Sequence, residues 1–131
     1  MVTDSVRSLA TVTALVGVLA SAALVLMYLG LGFFGPVNDV LGAVTGVLVM
    51  LVALATRDLL PDSAALRLLA LATAVLGAIL VVIGSVLVVT GLTGWYRAGL
   101  WSSLGWGVLG LWFLVLAVGL LGSAGWPGWL R

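Results

Sequence analysis

Arg67-Leu-Leu-Ala-Leu-Ala-Thr-Ala-Val-Leu-Gly77 is the stretch from which the rest of the chain can be read. Sixty residues earlier stands Arg7-Ser-Leu-Ala-Thr-Val-Thr-Ala-Leu-Val-Gly17, and both fit the pattern R-x-L-A-x-x-T-A-x-x-G. On a helix, positions three and four apart share a face. Ala10, Ala14 and Gly17 therefore make one narrow stripe of small residues, and Ala70, Ala74 and Gly77 make its twin. Each stripe opens a long segment without charge, which points to two helical hairpins begun by the same device.

Composition says where such hairpins reside. Only 7% of the 131 residues are charged, against about a quarter in soluble domains, while 64% are hydrophobic and mean hydropathy is +1.40. The nine charges (Asp4, Arg7, Asp39, Arg57, Asp58, Asp62, Arg67, Arg97 and Arg131) delimit uncharged intervals at 8–38, 40–56, 68–96 and 98–130. A bilayer core takes roughly 20 apolar residues of helix, and the intervals lack the alternation of transmembrane strands. The expectation is an all-α integral membrane four-helix bundle forming one domain over 1–131. Its helices are expected at about 8–31, 39–56, 64–90 and 98–121, with an interfacial tail at 122–131.

The helix ends follow from local chemistry. Asp4 or Ser5 is expected to cap the first helix, Asn38 the second, and Asp62 or Ser63 the third. Gly32-Phe33-Phe34-Gly35-Pro36 is read as the break after helix one, and Pro61 as the stop after helix two. Ala20-Ser21-Ala22 has the small-x-small form of a signal cleavage site, but the apolar run continues through Phe34, so a retained span is expected. Four spans place Arg7, Arg57, Arg67 and Arg131 on one side and Arg97 on the other. The positive-inside rule then puts both termini in the cytoplasm of a prokaryotic plasma membrane.

The sixty-residue repeat suggests duplication of a helical hairpin, with copies related by a pseudo-two-fold along the membrane normal. A weaker echo links Gly46-Val47-Leu48 with Gly107-Val108-Leu109. Further small-residue seams are Gly42 with Gly46, then Ala70, Gly77, Gly84 and Gly91 at a period of seven, and Ser103, Gly107 and Gly110. In lipid, small residues let backbones approach and gain dispersion contacts. The period of seven suits a left-handed crossing near +20°. Ala10, Ala14, Gly17, Gly42, Gly46, Ala70, Gly77, Gly84, Gly107 and Gly110 are thus the expected helix-packing positions.

Catalytic chemistry is absent from the sequence. Without His, Lys, Cys or Glu there is no base to activate a Ser or Thr and no thiolate or imidazole ligand. The four Asp residues sit near span ends, where capping and the helix dipole account for them; Asp39 is free to pair with Arg97. No ionisable residue lies inside a span, the usual mark of proton-coupled transport. Small four-helix multidrug exporters have this length and helix count but depend on a carboxylate in the first helix, which this first helix lacks, so their function is not carried over. Trp101 and Trp112 fall on one face of helix four, and Trp106 and Phe113 form another pair. These are candidate walls for a quinone, carotenoid or lipid tail, or for packing against a small-residue stripe. The leading expectation is a non-catalytic accessory or assembly subunit with no cofactor and no metal. Its partners are the lipid bilayer and other membrane-protein subunits or itself, not nucleic acid. A homo-oligomeric transporter or channel and a binder of a lipophilic ligand are the alternatives.

Overall fold

Glycines set two of the helix ends. In a computed structural model of the chain, which describes residues 4–60 and 63–121, the first helix, α1, runs Asp4–Tyr28. It closes where Gly30 turns to φ 95°. There the Gly30 N–H donates to the Met27 carbonyl at 3.0 Å and the Leu31 N–H to Leu26 at 3.1 Å, the paired bonds of a Schellman cap. Helix α2 spans Phe34–Thr56 and is followed by a single 3-10 turn, Arg57–Leu59. Helix α3 spans Ala64–Val89 and ends as α1 does, with Gly91 at φ 68° donating to Val88 at 3.1 Å. Helix α4 spans Trp95–Leu121.

The protein is an all-α four-helix bundle, and every helix is long and apolar enough to cross a membrane. Three helices begin earlier than the sequence suggests. Asp4 and Ser5 lie inside α1, whose first turn carries an exposed Asp4–Arg7 pair at 3.5 Å. Phe34-Gly35-Pro36 belongs to α2, so Pro36 opens a helix instead of breaking one. A first-turn N–H has no intrahelical acceptor, and proline loses nothing there. Asn38 is consequently an interior residue of α2 and not its cap. Ser63 does cap α3, accepting from the Leu66 N–H at 3.3 Å. The readings placed on Pro61, Asp62 and the tail lie outside the described residues. Across the Thr56–Ala64 connection the Arg67 guanidinium donates to the Leu60 carbonyl at 3.4 Å.

The helices pack in chain order: α1 on α2, α2 on α3, and α3 on α4. The core gathers on α3, where Ala70, Ala74 and Val81 meet Val49 and Ala53 of α2 and Leu109 and Trp112 of α4. Several hydroxyls are satisfied within their own helices, as a lipid environment favours, while the buried Thr93 hydroxyl between α3 and α4 has no partner among the described residues. Thr13, Ser21, Thr45, Thr73 and Thr90 each donate to the carbonyl one turn back, at 2.6–3.0 Å.

Candidate functional site

Chain-order packing leaves α1 and α4 flanking the bundle without a close seam between them. The space between is a groove with three walls. Its larger cavity, about 510 Å³, has Ala14, Gly17 and Ser21 of α1 on one side and Trp106 of α4 on the other, over Asn38 and Thr45 of α2. A second cavity of about 210 Å³ continues past Ala14 to Ala10 and Thr13, between Val49 and Val52 below and Trp112 and Phe113 opposite. Asn38, Thr45, Val49 and Val52 are spaced seven, four and three, so one face of α2 floors both cavities.

The α3–α4 seam is the opposite case, closed by glycine. A Cβ added at Gly77 would lie 2.8 Å from Leu109 Cγ, and one at Gly84 would lie 2.6 Å from the backbone nitrogen of Ser102. From the other helix, a Cβ at Gly105 would lie 2.6 Å from the Val81 nitrogen. Gly42 and Gly46 play this part more loosely between α2 and α3: a Cβ at Gly46 would meet Val81 at 3.3 Å, and one at Gly42 would reach Ser85 at 4.0 Å. Ala70, Gly77 and Gly84 are therefore packing residues, as their spacing suggests. Gly91, next in that period, is the helix cap.

The remaining positions divide differently from expectation. Ala10 and Ala14 are exposed and Gly17 is half-buried, on the groove side of α1. Gly107 and Gly110 are exposed with nothing within 4 Å of an added Cβ. The α3-facing stripe of α4 is instead Ala98, Ser102, Gly105, Leu109 and Trp112. Ala98, Ser102 and Gly105 are small and spaced four and three, as in the stripes of α1 and α3, so the signal was present in the sequence. Helix α4 carries small residues on more than one face, and spacing alone does not say which face meets α3.

Of the Trp candidates, Trp106 and Trp112 reach the groove and Trp101 does not; it is 46% exposed near the start of α4. Trp112 is 2% exposed, stacked obliquely on Phe113 with ring centroids 4.7 Å apart. Its indole N–H is buried without an acceptor among the described residues. Asn38, read from sequence as a cap, is the polar group that reasoning missed. It lines the larger cavity, and its side chain makes no hydrogen bond to a described residue. An amide one turn inside a span is the signal that marks it. Among the described residues Asp39 and Arg97 form no ion pair; the pairs present are Asp4–Arg7 and Arg57–Asp58 at 3.6 Å, both at exposed helix ends. No protein-family model, curated protein or solved structure matches the chain.

Proposed function

We infer that this is a non-catalytic membrane subunit that docks on another transmembrane helix through the outer face of α4. The observation that carries this reading is the unpartnered glycine face of that helix. Gly107 and Gly110, flanked by exposed Ser103, have open space where a Cβ would stand. Helix α4 meets α3 through a different face. A mid-span glycine gains nothing from lipid contact and weakens a helix by roughly 0.5–1 kcal/mol relative to alanine; against another backbone it allows close approach. A pore lined by hydroxyls has less support, because the Ser21, Thr45 and Thr73 protons are already given to carbonyls of their own helices.

In this reading both termini lie in the cytoplasm of a prokaryotic plasma membrane, following the four-to-one distribution of Arg. The test is mass spectrometry of the protein extracted in mild detergent from its native membrane. A heavier partner, or a second copy, is expected at fixed ratio. Gly107→Leu with Gly110→Leu should release that partner while leaving the thermal unfolding of the isolated chain unchanged. A wild-type protein that arrives as a lone monomer sinks the proposal.

A further inference from the structure

The groove between α1 and α4 is a separate feature from the outer face of α4, and size, charge and one unpaired amide together define what fits it. We propose that it binds a neutral long-chain lipid whose single hydroxyl or carbonyl is held by Asn38 and whose chain lies past Gly17 and Ala14 toward Phe113.

Size suits a hydrocarbon chain. The larger cavity, about 510 Å³, follows α1 from Ala14 to Leu24, about 15 Å at the helical rise, and an extended chain is thin enough to lie along it. Charge decides the head. None of the residues lining either cavity is charged, and a phosphate or ammonium taken into an apolar groove without a counter-charge is strongly disfavoured. A neutral hydroxyl or carbonyl carries no such penalty.

The amide decides the register. Asn38 offers two N–H donors and a carbonyl, none of them used within the described residues. The Thr45 and Ser21 hydroxyls that line the same cavity already donate to Leu41 at 2.8 Å and Gly17 at 3.0 Å. Asn38 stands four residues into α2, about 6 Å along its axis, near the level where lipid heads give way to chains. A head bound there sends its chain toward the smaller, almost wholly apolar cavity. Trp106, 41% exposed, supplies a flat wall on the way.

The test is native mass spectrometry of the purified full chain in detergent, titrated with 1-hexadecanol, geranylgeraniol and phosphatidylglycerol. Both neutral alcohols share the required head, and their relative affinities tell an acyl from an isoprenoid occupant. A one-to-one adduct with at least one alcohol is expected, with none from phosphatidylglycerol. Ala14→Phe, which fills the groove from an exposed position, should abolish the adduct without lowering the melting temperature. Asn38→Leu should weaken it up to about tenfold, the worth of a single neutral hydrogen bond, and Asn38→Gln should restore part of that loss. Gly107→Leu should leave the adduct unchanged, so failure here is distinguishable from failure of the docking face. Absence of an adduct with either alcohol, survival of the adduct in Ala14→Phe, or equal binding of phosphatidylglycerol overturns the proposal.

Discussion

Ala10-Ala14-Gly17 and Ala70-Ala74-Gly77 occupy the same places in two copies of one pattern, yet their surroundings are opposite. On α3 all three are buried, Ala74 completely, whereas on α1 the two alanines are exposed and the glycine is half-buried. The difference comes from position in the row. Helix α3 lies between α2 and α4 and has a backbone on either side; α1 has only α2, and its small stripe borders the groove. A stripe of small residues establishes that another backbone can come close. Whether one does depends on the order in which the helices pack.

The sharpest break in this comparison is steric. Gly84→Leu drives a side chain into Ser102 and Ala98 of α4, where backbone atoms stand within 3 Å of an added Cβ. Overpacking of this kind costs typically about 1–3 kcal/mol and sometimes more, and the backbone cannot yield as a side-chain tip would. The bundle should lose most of its thermal stability in detergent, while Gly107→Leu, into open space, should lose almost none. Equal melting temperatures for the two variants would mean that α4 meets α3 by another face.

A milder contrast compares the twin stripes themselves. Ala74→Leu places three additional carbons at a position with no exposed surface, and should destabilise by about 2 kcal/mol. Ala14→Leu points the same atoms into the groove and should change stability by no more than about 0.5 kcal/mol. Thermal unfolding of the pair in one detergent is the measurement. A comparable loss at Ala14 would show that α1 closes on α4 in solution.

Much of the fold could be read from residue types because lipid removes alternatives. Uncharged runs of sufficient length must be helices, and the gaps between charges bounded four of them. Ser63 was legible as a cap because serine before an apolar run has one common use. The starts of α2 and α4 were misplaced, that of α2 for a physical reason. Pro36 reads as a breaker, but the first turn of a helix accepts it, so α2 extends back to Phe34; α4 starts at Trp95, three residues before the expected Ala98. The groove was half legible. Trp106 and Phe113 are seven apart and share a face, and both do line it, but nothing local places Asn38 opposite them. That juxtaposition depends on α1 and α4 remaining apart, which is a property of packing order and not of any one helix.

The smallest effect carries the finest test, because it turns on sign instead of size. In α3, Gly77→Ala puts a methyl 2.8 Å from Leu109 Cγ and 2.9 Å from the Leu109 backbone nitrogen, closer than carbon atoms pack, so α3 and α4 must separate. In α1, the matching Gly17→Ala puts its methyl 3.6 Å from Thr45 Cγ2, an ordinary van der Waals contact. The helix also gains the roughly 0.5–1 kcal/mol by which alanine exceeds glycine in helix interiors. Gly77→Ala should therefore lower the melting temperature and Gly17→Ala should hold or raise it. If both variants lose stability alike, the two stripes have equivalent surroundings, and the duplication suggested by sequence extends to packing; opposite signs would confine the likeness to the pattern of residues.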